Sequence, residues 1–589
     1  MWPLPGTARN VVPMQQAILL PATSGRRPRT RAAYSGPAHD LRWLVVVALA
    51  FTACQLYSAL AVSGLGWDET VYVSQVDPDA QAAFFSAPRA RGITLLLAPV
   101  AALTTSATVL HCYLAVLSGL GLLLTLWIWR HLLPAPATAL GGALFAGLWI
   151  TLFYGPQAMP NLWVAYAVLA ATGCFLLAVR PRARHLSGER PRTGRGAAVG
   201  LAITLALAAL MRPIDAVWLA VPLFAAALFV RSWRRPAVLL AVPAGLALGC
   251  AEWVAEAYAS YGGLPARLRQ AGEIQGGLGW HPSFYDHVRA LQGKTLCRPC
   301  EMSWEHPVTA VWWFALPLAV AGAVWAALRV RELGGGRHPY GLDPVQAGAR
   351  DPNGFLPPYR NASVETVDRE PDDGRQWYTP DPVWPSGHNP GAEPLRYGPA
   401  PVLLPALLGV CLAAPYLLMV DYAAPRFLLP AYALLLMPAG WFLYRLALLL
   451  RGRPAWAVGA LVLALLGHEA IQLAILHKMV GGTARVQADI DRLADSLRDA
   501  GVRPACVVTG AEAVRVAYRA GCASRQPGGH DASITPAALA RLGATRPAAV
   551  ILTHGEKAPD YAHGWRAVPL PPVAGLGPLR AYVSTAARR

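Results

Sequence analysis

Lysine is nearly absent from this chain. Of 51 basic residues only Lys294, Lys478 and Lys557 are lysines, and the rest are arginine. Charge of either sign is also scarce, at 14% of 589 residues, where a soluble chain carries about a quarter. That scarcity excludes an ordinary soluble enzyme. The net charge of +18 comes from arginines between apolar runs, where they hold membrane spans in place, so nucleic acid is not an expected partner. Residues 1–40 lack the apolar stretch of a cleaved leader and read as a disordered cytoplasmic arm. The C-terminal segment has no phosphate-loop or nucleotide fingerprint, and no internal repeat of the transporter kind is visible.

What the chain does have is apolar length. Apolar residues make up 55% of it, mean hydropathy is +0.36, and runs of spanning length recur. The fold class expected is an α-helical polytopic membrane protein of about 11 transmembrane helices plus interfacial helices, with a small C-terminal extracytoplasmic α/β domain. The expected spans are 41–63, 107–128, 138–154, 161–179, 197–211, 214–230, 237–257, 307–328, 400–420, 427–448 and 455–477. The run 93–103 is too short to span and suits an interfacial helix. That choice places Arg180, Arg182, Arg184, Arg190, Arg192 and Arg195 on the cytoplasmic side with the N-terminus, as positive-inside statistics require. The expected domains are the arm 1–40, a transmembrane domain 41–479 containing a disordered cytoplasmic linker at 332–396, and an extracytoplasmic domain 480–589. Asn361-Ala362-Ser363 lies in the linker and reads as a chance glycosylation match.

In the last segment an amphipathic helix is expected at 485–500, a strand at 505–509, helices at 511–520 and 536–543, and strands at 548–553 and 579–584. Cys506 and Cys522 can bridge the first strand to a helix end, and Cys297 with Cys300 suits a local disulfide. His281, His287 and His306 share the latter loop and leave a metal site there open.

The sharpest feature follows the first apolar run: Gly66-Trp67-Asp68-Glu69-Thr70-Val71-Tyr72. Adjacent side chains diverge, so Asp68 and Glu69 form a catalytic pair with divided roles. Asp68 is the expected general base, taking a proton from an acceptor hydroxyl. Glu69 is left as metal ligand, charge partner or structural contact. Arg89, Arg91, Arg212 and Arg426 fall at turns on the same side, where positive-inside statistics predict few arginines. Guanidinium groups bind phosphate through paired hydrogen bonds, so these four are the candidate donor-phosphate ligands. Arg212 with Asp215 and Arg426 with Asp421 are the alternative pairings. Tyr72, Gln157, Asn161 and Tyr422 are candidates for holding sugar hydroxyls. His468 and Glu469 lie within the last span, where charge is costly, and carry no catalytic assignment.

Together, Asp68-Glu69-Thr70-Val71-Tyr72, the Pro88-containing interfacial helix, the Gln157–Asn161 turn and Arg426 before Pro430 resemble the GT-C superfamily of integral-membrane glycosyltransferases, and within it the protein O-mannosyltransferase and aminoarabinose transferase group. The resemblance covers roughly residues 40–480. It implies a polyprenyl-phosphate sugar donor, an inverting single displacement with Asp68 as base, and an extracytoplasmic glycan, lipid or protein acceptor at the cell membrane. It also leaves a divalent metal open, since some members bind one. The sequence departs from that group at Asn161, where a second acid is usual nearby, and at Ala87-Pro88-Arg89, which replaces a His/Lys-Pro-Pro element. A transporter or flippase of a lipid-linked sugar, or a non-catalytic envelope-assembly protein, is the alternative function.

Overall fold

The computed structural model describes residues 37–180, 193–334 and 398–588, except 278, 299 and 302. Most of the expected arm and linker, Asn361, and most of the arginine-rich loop after residue 180 lie outside the described residues. In chain order the helices are α1 (Pro37–Ala61), α2 (Trp67–Val73), α3 (Gly92–Ala101), α4 (Ala107–Trp129), α5 (Ala135–Gly147), α6 (Trp149–Tyr154), α7 (Pro160–Ala178), α8 (Thr193–Met211), α9 (Pro213–Phe229), α10 (Pro236–Ser260), α11 (Leu264–Ile274), α12 (Phe284–Ala290), α13 (Val311–Gly334), α14 (Ala400–Leu418), α15 (Leu429–Leu450), α16 (Ala455–Asp499), α17 (Ala513–Ala520) and α18 (Pro536–Thr545).

Among the described residues nine helices are long and apolar enough to cross a membrane: α1, α4, α7, α8, α10, α13, α14, α15 and α16. The chain is a multi-pass membrane protein. Three shorter apolar helices, α3, α5 and α9, complete the bundle. Helix α7 is its axis, with 89% of its apolar window buried; α1 and α13 instead leave Leu49, Leu60, Leu318 and Trp325 exposed, as lipid-facing helices do.

Several elements differ from the sequence expectation, two of them among the helices. The span expected at 138–154 is broken at Leu148, which takes an extended ψ of 130°. The Trp149 N–H freed by the break donates to Gln472 Oε1 of α16 at 3.0 Å, so a buried donor is satisfied from another helix. The second difference is α16. Separate spanning and amphipathic helices were expected, yet one 45-residue helix runs through Gly481-Gly482. At 1.5 Å per residue it is about 68 Å long, and it carries the chain directly into the C-terminal domain.

That domain is built on five strands: β1 (Val507–Gly510), β2 (Ala523–Ser524), β3 (Ala548–Thr553), β4 (Arg566–Val573) and β5 (Gly577–Val583). The order is β2-β1-β3-β5-β4. β1 pairs parallel with β2 and β3, while β5 pairs antiparallel with β3 and β4. Strand β4 was not among the expected strands; it carries Pro569, Pro571 and Pro572 and sits at the sheet edge, where missing N–H donors are tolerated. Its core, around Leu493, Val508, Val516 and Ile551, packs α16 and α17 on the sheet. Disulfides join Cys506 to Cys522 and Cys297 to Cys300.

The domain docks onto the segment after α1. Tyr518 Oη donates to Asp77 Oδ2 at 2.5 Å, Gln487 Nε2 to Leu65 O at 2.9 Å, Arg519 Nη2 to Ser63 O at 2.9 Å, and Arg525 Nη1 to Ala82 O at 3.2 Å. The approach is close: a Cβ at Gly64 would fall 2.3 Å from Gln487 Oε1, so Gln487 would have to shift to admit a side chain there.

Candidate active site

Helix α2 begins as the chain leaves α1. Its first turn is fixed by Glu69, whose Oε2 accepts the Gly66 N–H at 2.8 Å, half of a capping box. Glu69 Oε1 accepts from His111 Nε2 of α4 at 2.9 Å and from the Ala158 N–H at 2.8 Å. Burial pushes this carboxyl up, but His111 and the two backbone donors outweigh it and hold it below its ordinary value. Glu69 is 4% exposed and both its oxygens are engaged. These contacts tie α2 to α4 and to the turn that leads to Asn161.

With Glu69 facing inward, Asp68 faces a cavity of about 1020 Å3. Its Oδ1 lies 2.5 Å from Arg89 Nη2 and its Oδ2 lies 3.0 Å from Arg426 Nη2. Burial raises the Asp68 pKa, but Arg89 and then Arg426 more than offset it and hold the carboxyl below the usual range. Each guanidinium is held from behind. Arg89 Nη1 donates to Ser86 Oγ at 3.0 Å. Arg426 Nη1 reaches Thr295 O at 3.3 Å and Tyr154 Oη at 3.4 Å. The expected alternative of Arg426 with Asp421 does not form; Asp421 faces Arg298 at 3.9 Å.

Arg212 lines the same cavity. Its Nε does meet Asp215 Oδ2, at 3.3 Å, and its guanidinium lies over Tyr416 and Phe427. Its Nη1 is buried with no partner, as is Asn161 Nδ2. Buried donors are rarely left so, and both belong to residues of the cavity wall. Tyr72, Gln157 and Tyr422 line it too.

Arg91 does not line the cavity. It turns to α10, with Nη2 2.5 Å from Glu256 Oε1 and Nε 3.4 Å from Glu252. The cause is Arg267, which sequence reasoning missed. Fully buried, Arg267 donates to Ala87 O at 3.1 Å and Arg89 O at 2.9 Å, and pairs with Glu256 at 2.8 Å. It therefore fixes the loop so that Arg89 points one way and Arg91 the other. The available signal was Glu252 and Glu256 at the end of an apolar span, where unpaired charge is costly.

Also unforeseen are Lys294, Lys478 and Arg485 on the cavity wall, and Glu512 and Arg515 from the C-terminal domain. Asp531 of the same domain lies near the site: burial raises its pKa, Arg89 opposes this and Asp68 adds to it. Cys297 and Cys300 are disulfide-bonded, and among the described residues no group of three His, Cys, Asp or Glu is placed to hold a metal ion.

No protein-family model matches the chain, and no curated protein matches it in sequence. Solved structures do match. ArnT from Cupriavidus metallidurans bound to undecaprenyl phosphate is similar at a TM-score of 0.57 and 12% identity, over 92% of this chain and 98% of that one. Its apo state gives a TM-score of 0.56, at the same identity and coverage. The Archaeoglobus fulgidus oligosaccharyltransferase tethered to an acceptor peptide gives a TM-score of 0.46 at 13% identity, over 88% of this chain and 69% of that one. The chain shares its fold with ArnT. In this fold Asp68 sits at the bundle end that carries the soluble domain, and α2, the 86–91 loop, the 155–161 turn and residues 422–427 meet there.

Proposed function

We propose that this protein is a membrane glycosyltransferase that moves a sugar from a polyprenyl-phosphate donor to an acceptor on the extracytoplasmic side. The observation that carries this reading is the position of Asp68. One carboxylate is shared by two guanidinium groups, Arg89 and Arg426, and all three line a cavity that is also lined by Arg212 and Asn161, each of which keeps a buried donor without a partner. The fold, which ArnT shares, supports the same reading.

In this mechanism the donor phosphate engages Arg89, Arg426 and Arg212 and displaces the Asp68 carboxylate from one or both partners. The acceptor oxygen attacks the anomeric carbon from the face opposite the phosphate. Asp68 takes the acceptor proton, the carbon–oxygen bond to phosphate breaks, and the phosphate oxygen keeps the electron pair. Configuration inverts. The arginines stabilise the negative charge that grows on the leaving group, and one preorganised donor of this kind contributes about 3–4 kcal/mol. Tyr72, Gln157, Asn161 and Tyr422 hold the sugar hydroxyls. Glu69 positions α2 and does not touch the reacting atoms.

The test is the purified full-length chain in lipid nanodiscs, given a panel of labelled polyprenyl-phosphate sugars and envelope glycan, lipid and peptide acceptors. Transfer with inverted anomeric configuration is expected for one donor. Movement of intact donor across proteoliposomes, with no transfer from any donor, would turn the reading to a flippase.

A further inference from the structure

The cavity holds more positive charge than a single lipid phosphate calls for. Its wall carries eight cations against three acids. Every acid is already engaged: Asp68 by two arginines, Glu69 by His111, and Glu512 by Arg515 at 2.5 Å. Arg89 and Arg426 flank Asp68, and Arg212 is paired with Asp215. The surplus lies elsewhere, on the wall made by α16 and the turn after α12.

That wall is built from Lys294, Lys478 and Arg485. Lys478 and Arg485 are seven residues apart on α16 and so share one of its faces. Lys294 is brought to them by Gly293, which has a φ of +100° and lies so close to α16 that a Cβ would stand 3.0 Å from Met479 Sδ. Lys294 also precedes Thr295, whose carbonyl accepts from Arg426. Among the described residues none of the three has an acidic partner within ion-pair distance, and all are exposed to the cavity or to water. Two of the three lysines in a lysine-poor chain of 589 residues thus line the cavity that holds Asp68. Like charges placed together raise the local potential and repel one another unless an anion joins them.

We infer that this wall binds an acceptor bearing negative charge in its saccharide part, phosphodiester or carboxylate, presented from the side of the C-terminal domain. The inference rests on the glycosyltransferase reading for the word acceptor, and on this wall alone for the anion. Glu512 and Arg515 continue the surface into the soluble domain, so the second substrate approaches from water while the donor phosphate sits over Asp68. Lysines suit such a ligand: each is a mobile point charge that can follow a polymer without demanding one geometry.

The experiment reads binding apart from turnover. Full-length protein in zwitterionic nanodiscs is titrated, without donor, with oligo(glycerol phosphate), oligogalacturonate and neutral dextran oligomers of equal length. At least one anionic oligomer is expected to bind tenfold or more tightly than dextran, and the tighter of the two identifies phosphate or carboxylate as the group recognised. Binding should weaken with added salt. The double substitution Lys294→Gln and Lys478→Gln should lower it at least fivefold, and Lys557→Gln should leave it unchanged. Equal binding of all three oligomers, or salt-independent binding by the wild-type chain, overturns the inference even if the double variant folds poorly. Donor-dependent transfer with no anion preference sinks this inference alone. Selective anion binding with no transfer from any donor sinks the glycosyltransferase reading alone.

Discussion

Asp68→Asn should separate two quantities that usually fall together. As a base, Asp68 should contribute about 100- to 10,000-fold to transfer, and asparagine cannot take the proton. Donor affinity should move the other way. In the resting structure the carboxylate occupies the two guanidinium groups that the phosphate needs. A phosphate seated beside it at about 4 Å meets a like-charge repulsion of roughly 4 kcal/mol per charge at an effective dielectric of 20. Asp68 has 30% of its side chain exposed, so solvent reduces this to about 1–2 kcal/mol, or roughly 5- to 30-fold in affinity. The variant should therefore bind polyprenyl phosphate more tightly while transferring sugar at or near background. It should also be less stable without ligand, since Arg89 and Arg426 are each only 13% exposed and lose their shared counter-ion. Leaving such a pair half-broken costs up to about 3 kcal/mol, and bound phosphate should restore much of it as a larger thermal shift than the wild type shows. The assay is equilibrium binding of labelled polyprenyl phosphate in nanodiscs, with single-turnover transfer and a melting curve on the same samples. Transfer within threefold of wild type, or weaker donor binding by a folded variant, would refute the assignment of base and ligands together.

Glu69→Gln should lower the melting temperature, because the amide cannot accept from His111, Gly66 and Ala158 at once; the loss should be about 2–3 kcal/mol, read by thermal unfolding. Arg212→Ala should weaken donor binding roughly 10- to 100-fold by removing a hydrogen bond to a charged group, whereas Arg91→Ala should leave it within about twofold, as its partners are Glu252 and Glu256. Asp68 is held below its ordinary pKa, so its stabilising effect is fully present above the usual carboxylate range and is lost as pH falls through the lowered value. Melting temperature should accordingly show no Asp68-dependent change from about pH 7 to 5, and wild type and Asp68→Asn should converge only below about pH 4. Removing the Cys506–Cys522 bridge, which closes a separation of 16 residues, should cost about 3 kcal/mol and expose the C-terminal domain to protease, while Cys297–Cys300, spanning three residues, should matter less.

The parts legible in the sequence were those that depend on order along the chain. Asp68 and Glu69 stand at the end of the first apolar run, and parity of the spans put Arg89, Arg212 and Arg426 at the same end. Those positions follow from counting. Partner choice does not. Arg89 and Arg91 are two residues apart and look equivalent; only the buried Arg267, 178 residues beyond Arg89, decides which faces Asp68. His111 reads as a polar residue in an apolar span until Glu69 is found against it. Gln472 reads the same way until the break at Leu148 supplies a freed N–H. In each case the deciding group is a buried polar atom whose partner lies far away in the chain, and hydrophobic periodicity carries no information about such pairs. Strand β4 carries three prolines and still pairs, because it is an edge and needs fewer N–H donors than a central strand.

The continuity of α16 bears on how the site is completed. A domain joined by a flexible linker would be a lid, and its residues would enter the cavity only part of the time. Here the linker is helix. Val480 and Gln487 are buried on either side of Gly481-Gly482, so packing holds the register where propensity alone would permit a break. The far end is clamped by Gln487 on Leu65, Tyr518 on Asp77 and Arg525 on Ala82, all in the segment that carries Asp68 or lies beside it. The soluble domain is thus held at two separated points of one rigid rod and one loop, and Glu512 and Arg515 are a standing wall of the cavity. Under the proposed function, an acceptor in the cavity then lies between this standing wall and the basic face of α16, whose Lys478 and Arg485 line the same cavity.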